Sequence, residues 1–363
     1  MTGNRDEPRK LSWAILPGLI LVVLLTVPAW WLASVTDIPA VITALVLGLC
    51  ASPLFARFQT SHPGVQFAAD PLMKIAVACL GAGVNIGLLM LLGWPVLITI
   101  IGIMAITIGT GLWLGRLLGR SPAFAILSAG AVAICGSSAA LALCCALPAS
   151  AQRERDLSVV IIAISLLSAI GVLLYPLLMQ ALGLSDIEAG FVLGGSLHNV
   201  AQTVAAGFSM SESTGETATL VKMIRVSLLA PCVIMVAYAF RGAVIAPASD
   251  GESSVAASSG DGPCVDEACG DETSQRRRIL PPAFLIAFFL LMIAGSAGWL
   301  PTPLKTAFAH MASGGLILAM TAIGLSTPIA DLLRTDRRSV LLIVLQTAVI
   351  LGLALAALLF LRL

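Results

Sequence analysis

"GGSLHNVAQTVAAG", residues 194–207, interrupts an otherwise apolar part of the chain. This stretch brings His198, Asn199 and Gln202 close to two glycines. Polar and ionisable side chains are costly inside a bilayer, and those that occur there usually line a cavity or relay protons. The stretch therefore predicts a helix that breaks at membrane depth and keeps its polar side chains away from lipid.

The composition of the whole chain indicates an integral membrane protein. Of its 363 residues, 58% are hydrophobic and only 11% are charged, against about 25% charged in a typical soluble domain. The apolar runs are continuous and reach the roughly 20 residues that a membrane-spanning helix needs, whereas the strands of a membrane barrel would alternate. We therefore expect an all-α polytopic membrane protein. A net charge of +1 without a basic stripe argues against a nucleic-acid partner.

Apolar segments recur along almost the whole chain, which reads as one transmembrane transporter domain, 1–363. They lie near 13–34, 38–55, 71–91, 94–117, 122–150, 157–181, 187–208, 217–241, 280–299, 309–330 and 339–361. The polar insert 244–279 is rich in Ser, Gly, Asp and Glu, which predicts a disordered cytoplasmic loop. Cys264 and Cys269 within it are weak indications of a metal or redox site.

The distribution of Lys and Arg predicts the topology, because these residues concentrate in cytoplasmic loops. Cations among residues 5–10 place the N-terminus inside a bacterial inner membrane. Arg153 and Arg155 stay inside only if segment 122–150 enters the membrane and returns. The loops flanking 187–208 contain neither Lys nor Arg, so that segment enters from outside. This predicts about nine spanning helices plus two re-entrant segments. Two broken helices that cross fully are the alternative.

The two interrupted segments resemble each other. "ICGSSAA", residues 134–140, and the opening stretch each combine a Gly/Ser break with a following span that contains "SLL". Because one would enter from inside and the other from outside, they indicate inverted repeats, an architecture of many secondary transporters.

The polar residues of the two breaks and of the next helix form a candidate anion site. The first turn of a helix has unpaired N–H groups and a positive dipole end, which together bind anions. Arg suits a tetrahedral oxyanion because its planar fork donates parallel hydrogen bonds. The predicted substrate-binding residues are Gly136, Ser137, Ser138, Ser196, His198, Asn199, Gln202, Lys222 and Arg225.

Other roles stay open for these residues. Small residues at 136–138 could serve helix packing, and His198 could be a neutral structural side chain. Lys222 and Arg225 could extend to the membrane interface. Elsewhere Lys74 has Asp70 as a candidate partner four residues away. Asn85, Ser326 and Thr327 could line the same cavity or cap helix ends. No metal or cofactor is expected, because no second His or acid is near His198 in the sequence.

Four motifs in order resemble one family. "AVAICGSSAA", "GGSLHNVAQTVAAG", "VKMIRVSLLAP" and "LAMTAIGLSTPIADL" together resemble the YeiH-like sulfate exporter family of bacterial inner-membrane proteins. The likeness runs from about residue 38 to the C-terminus, without the insert 244–279. It implies a polytopic transporter with small sulfur oxyanions as its substrate class. Asn199 departs from the family, which commonly has an acid after this histidine, and the departure weakens any carboxylate-based coupling.

The sequence thus predicts a secondary transporter that exports a small inorganic or organosulfur oxyanion such as sulfate or sulfite. In this hypothesis His198 carries a coupling proton. A "GxxxxGK[ST]" motif is absent from the sequence, so ATP-driven pumping by this chain is not expected. The expected partners are the anion and the bilayer, with a homodimer as a further possibility. The alternatives are a cation-coupled carrier of another anion such as a carboxylate, a channel, and an intramembrane enzyme that pairs His198 with a serine.

Overall fold

The computed structural model of the chain describes residues 7–36, 38–55, 61–147, 151–239, 282–327 and 336–361. Every regular element in these ranges is helical. In chain order they are α1 (Glu7–Val35), α2 (Ala40–Phe55), α3 (His62–Phe67), a π-helical turn (Ala68–Leu72), α4 (Met73–Leu80), α5 (Ile86–Leu117), α6 (Pro122–Ala133), α7 (Ser137–Ala146), α8 (Ala151–Ala181), α9 (Asp186–Ser196), α10 (Val200–Phe208), α11 (Glu212–Ser227), α12 (Leu229–Ala239), α13 (Ala283–Ser296), α14 (Thr302–Ser326) and α15 (Arg337–Leu361). The predicted loop 244–279, with Cys264 and Cys269, lies outside the described residues.

Six stretches of the described chain are long and apolar enough to cross a bilayer. They are Ile15–Val35, Leu92–Leu117, Gln152–Ala181, Glu212–Tyr238, Thr302–Ser326 and Arg337–Leu361. Large apolar side chains such as Leu24, Trp94 and Leu177 are exposed on these helices, as expected for surfaces that contact lipid. The predicted class, an all-α multi-pass membrane protein, is confirmed. The count of nine spanning helices stays a prediction.

The predicted boundary between segments 71–91 and 94–117 coincides with an interruption of the helical backbone at Gly93. The chain has a further break, which was not predicted, at residues 81–85. Asn85 then caps α5, since its side-chain oxygen accepts a hydrogen bond from the Gly87 N–H at 2.7 Å. Gly93, with a φ of 59° and a ψ of −169°, is not helical and separates the first turns of α5 from the long apolar helix that follows. The Gly-Trp-Pro sequence at 93–95 therefore marks a kink between two helical parts of α5.

The first predicted break folds as a helical hairpin of α6 and α7. Gly136 between them has a φ of 70°, which glycine adopts without strain. The two arms lie side by side, because a Cβ at Gly130 of α6 would collide with Leu143 of α7. Arg120, just before α6, approaches the Asp156 carboxylate near the start of α8 to 3.8 Å. The chain therefore leaves this hairpin at the end where it entered.

The second predicted break is also the turn of a hairpin, formed by α9 and α10. The turn lies at residues 197–199 and not at the predicted Gly194 and Gly195, which belong to the last turn of α9. The Thr214 hydroxyl at the start of α11 donates to the Asp186 carboxylate at the start of α9, at 3.2 Å. Phe208, at the end of α10, packs on Gly215 of α11. The turn itself contacts Lys222, eight residues beyond Thr214, which is about 12 Å along the helix. Both arms of this hairpin thus lie along one side of α11.

The turns of the two hairpins meet from opposite directions. α8 connects their bases, and its 31 residues give it a length of about 46 Å. At the meeting point, a Cβ at Gly136 would lie 3.5 Å from the His198 carbonyl oxygen. Both segments are therefore hairpins, as a dip-and-return path requires, and their entry into the membrane from opposite sides stays a prediction. The relation of the two halves as inverted repeats stays a prediction.

Two groups of helices face each other across the hairpin turns. In one group, α14 packs against α1, α2 and α4; in the other, the hairpins pack against α8, α11 and α15. Gly48 of α2 and Gly324 of α14 approach so closely that a Cβ on either would collide with the other helix. This contact brings the Ser52 hydroxyl to the Thr327 carbonyl oxygen at 3.0 Å, and it positions both residues beside the site described next.

Candidate functional site

Two buried cations of α11 join the hairpin turns. Lys222 is 0% exposed and Arg225 is 1% exposed. The Lys222 ammonium donates three hydrogen bonds, to the carbonyl oxygens of Ile134, Leu197 and His198 at 3.1, 2.6 and 2.6 Å. Both side chains therefore point into the protein and do not extend to the membrane interface.

The Arg225 guanidinium reaches both hairpins at once. Its Nε and Nη2 groups donate to the carbonyl oxygens of Val132 and Ala133 at the end of α6, at 2.8–3.1 Å. Its Nη1 group donates to those of Gly194 and Leu197 at the end of α9, at 2.9 and 3.0 Å. Its five donors are thus all engaged by main-chain oxygens.

These bonds explain why two cations are stable in this place. The last turns of α6 and α9 leave carbonyl oxygens without intrahelical partners, and helix C-terminal ends carry a partial negative charge. Lys222 and Arg225 donate hydrogen bonds to these oxygens, and their positive charges lie beside the negative helix ends in the buried interior. The sequence predicted direct contact with an anion for both residues, but in the structure their donors are occupied by the protein main chain.

A cavity of about 1090 Å³ lies between the two groups of helices. Ser137 and Ser138 at the start of α7, and Asn199 and Val200 at the start of α10, line one part of it. Gly136 has no side chain to cap α7, and the Asn199 side chain caps α10 by accepting from the Ala201 N–H at 3.1 Å. Two helix N-termini thus face one cavity, an arrangement that favours anions.

His198 points away from this cavity. Its ring is 1% exposed, and Nε2 lies 3.0 Å from the Thr347 hydroxyl of α15. Thr347 donates to the Ile343 carbonyl oxygen at 2.8 Å, so its oxygen is left to accept from an Nε2–H. This hydrogen bond goes to a threonine of α15 and not to Ser137 or Ser138, so the Ser–His pair of the enzyme alternative is not formed among the described residues.

We expect Thr347→Val to lower the free energy of unfolding by about 1–2 kcal/mol, because it leaves the buried His198 Nε2–H unpaired. Thr347→Ser is the matched control, because it keeps the hydroxyl. Thermal unfolding of the detergent-solubilised protein would measure both variants. An equal loss for valine and serine would mean that the hydrogen bond contributes nothing.

The remaining predicted residues are buried near the hairpin turns but do not line the cavity. The Ser196 hydroxyl donates to the Val192 carbonyl oxygen of its own helix at 2.6 Å. Gln202 is 0% exposed, and neither amide atom has a hydrogen-bond partner among the described residues. Such a buried amide is costly unless a water or a ligand pairs with it.

The comparisons with known proteins identify the family. The family described as "Conserved hypothetical protein 698" matches residues 17–255 and 264–343. The UPF0324 membrane protein TauZ of Paracoccus pantotrophus is 33% identical over 347 residues, 96% of each chain. A UPF0324 membrane protein of Rhizobium meliloti is 34% identical over 346 residues, 95% of this chain and 92% of its own. This chain belongs to the UPF0324 family. That is the YeiH-like family which its motifs resemble. No solved structure matches it.

In this UPF0324 protein the structure brings three of the nine predicted residues to the cavity, namely Ser137, Ser138 and Asn199. Gly136 shapes the first turn, and Lys222 and Arg225 hold the two turns together from behind. That all nine residues bind the substrate stays a prediction.

Several residues of the site were not singled out from the sequence. Thr347, the partner of His198, is 149 positions away, and the cavity-lining residues Ser52, His62 and Gln66 come from α2 and α3. Single polar side chains in apolar helices give no pattern that would distinguish them. Ser326 and Thr327 were proposed as lining residues and do line the cavity.

Proposed function

We propose that this UPF0324 protein is a secondary transporter of a small anion, with a sulfur oxyanion such as sulfate or sulfite as cargo and export as its direction. The observation that carries the proposal is the convergence of the α7 and α10 N-termini on one cavity. Free N–H groups, the hydroxyls of Ser137 and Ser138 and two positive dipole ends would replace the hydration of an anion.

Lys222 and Arg225 support this site from behind. They neutralise the negative ends of α6 and α9 and leave the positive ends of α7 and α10 to face the cavity. Arranged in this way, each hairpin presents to the cargo only the end that attracts anions. A net positive field therefore reaches the cavity even though the two cations donate their hydrogen bonds elsewhere.

The loading side follows from the positive-inside rule. The lining residues Phe55, Pro282 and Thr327 stand at the ends of α2, α13 and α14. The adjoining sequence contains Arg57, Arg276–Arg278 and Arg334. In this proposal the cavity opens to the cytoplasm and the bacterial inner membrane is the location, which suits an exporter that is ready to load. Movement of the α1–α4 and α14 group against the hairpin group would then expose the cargo to the other side.

Comparing anion flux with and without a pH gradient tests whether His198 couples transport to the movement of protons. In proteoliposomes, we expect a pH gradient to accelerate the flux of ³⁵S-labelled sulfate or sulfite through the native protein. His198→Ala should abolish this acceleration but keep exchange flux within about threefold, since the ring lies outside the cavity and its loss affects the site only by small shifts in packing.

His198→Gln provides the control for packing, because it keeps a donor for Thr347 without a titrating group. Acceleration that persists in both variants would remove His198 from coupling while leaving the anion carrier intact. Flux that is absent from the native protein for both anions would contradict the proposed cargo.

A further inference from the structure

A pair of charged side chains, Lys74 and Asp70, lines the cavity in addition to the proposed anion-binding residues. Lys74 Nζ lies 2.6 Å from the Asp70 carboxylate, and both side chains line the same cavity as Ser137, Ser138 and Asn199. They are 37% and 55% exposed. The sequence indicated this pair, but it did not indicate that the pair faces the hairpin turns.

The local backbone explains the position of this pair. Asp70 lies in the π-helical turn Ala68–Leu72, which also contains Pro71. Proline has no N–H to donate, and single π turns of this kind are frequent at functional sites. The turn joins α3 to α4 and places Asp70 and Lys74 on the surface that faces the cavity. Lys74 and Cys135, a residue of the first hairpin turn, line the same cavity.

Lys74 differs from Lys222 and Arg225 in its position and in its hydrogen-bond partners. Lys222 and Arg225 donate to main-chain carbonyl oxygens, and neither lines the cavity. Among the described residues, Lys74 is the lysine or arginine that does. Within the described part of the chain its partner is the half-exposed carboxylate of Asp70, and such surface pairs are worth at most about 1 kcal/mol. An arriving anion could therefore replace Asp70 at little cost.

We propose that Lys74 is the cation that contacts the transported anion, and that the Asp70 carboxylate occupies Lys74 when the cavity is empty. This deepens the proposed function and rests on it. The exchange makes Asp70 a determinant of specificity: it lowers the affinity for every anion, so that an anion must also satisfy the helix N-termini to bind. Without an anion, the charges of Lys74 and Asp70 offset each other, which reduces the cost of an unpaired charge at membrane depth when the empty protein changes conformation.

The first test does not depend on the cargo. Ser138→Cys introduces a thiol at the exposed start of α7. Its rates of reaction with two methanethiosulfonate reagents, one with a negative sulfonate and one with a positive trimethylammonium group, report the electrostatic potential at that position. We expect Lys74→Gln to lower the sulfonate-to-ammonium rate ratio about threefold to tenfold and Asp70→Asn to raise it by a similar factor, as a unit charge within several ångströms would. Lys74→Arg should retain the native ratio.

The second test uses exchange of ³⁵S-labelled sulfate and sulfite in proteoliposomes that contain the chain with its native Ser138. Lys74→Gln should raise the half-saturating concentration, Asp70→Asn should lower it, and Lys74→Arg should restore it. Reagent ratios that do not move would overturn the inference whatever the fluxes. Ratios that move with unchanged half-saturation would show that the anion does not meet Lys74, which also overturns it. Absence of native flux, with ratios that move, would locate the failure in the proposed cargo and leave Lys74 as the cation of the cavity.

Discussion

Replacing Arg225 with leucine is expected to lower the free energy of unfolding by at least about 3 kcal/mol, because its five hydrogen bonds would be lost, and such bonds in membranes average about 0.6 kcal/mol each. The substitution leaves carbonyl oxygens at the ends of α6 and α9 without these donors. Leucine fills part of the volume of the arginine side chain, so the loss of stability comes chiefly from the missing hydrogen bonds. Thermal unfolding of the purified protein in detergent measures this effect.

Arg155→Leu is the matched control, because Arg155 is an exposed arginine at the start of α8. It should change the stability by less than about 0.5 kcal/mol. Arg225→Lys should fall between the two, since an ammonium has three donors and lacks the planar fork. If Arg225→Leu unfolded like Arg155→Leu, the role of Arg225 in holding the two hairpin turns together would be refuted.

Placing a negative charge at the start of α7 is expected to block the anion. Ser138 is exposed in the cavity and lies in the first turn of that helix. Ser138→Asp should raise the half-saturating concentration for sulfate or sulfite exchange at least about tenfold, since like charges a few ångströms apart at a protein surface repel by about 4 kcal/mol before screening. The fold should survive, because an acid in the first turn of a helix is stabilising.

Ser138→Asn separates charge from shape, because it has nearly the same size as the aspartate without the charge. We expect it to bind the anion within about threefold of the native protein, as the loss of one neutral hydrogen bond in this setting averages about 0.6 kcal/mol. Equal half-saturation for the aspartate and asparagine variants would mean that the anion does not visit the α7 N-terminus.

The positions of the two hairpin turns could be predicted from the sequence. Gly136 and the polar cluster at 194–202 stand out in apolar surroundings, and Arg153 and Arg155 argue against a simple crossing of the first segment. Composition and charge act over short stretches, so they are visible in a single chain. The predicted boundary near residue 91 likewise coincides with Gly93, whose backbone is not helical, whereas the break at 81–85 was not predicted.

The partners of Lys222 and Arg225 could not be predicted. Every residue has a carbonyl oxygen, so the acceptors on α6 and α9 have no signature in the sequence. Two cations beside polar breaks therefore resembled an anion site with free donors. The position of Lys74 was equally hidden, because which face of α4 meets the cavity depends on how α14 packs against α2 and α4.

Crystals grown with selenate test the central claim most directly, because selenium scatters anomalously and selenate has the shape and charge of sulfate. The concentration would be one that inhibits sulfate exchange in proteoliposomes. We predict an anomalous peak in the cavity, within hydrogen-bond distance of the first turns of α7 and α10 and of the Ser137 or Ser138 hydroxyl. A peak elsewhere in the protein, or no peak at an inhibitory concentration, would contradict the assignment of this cavity as the anion site.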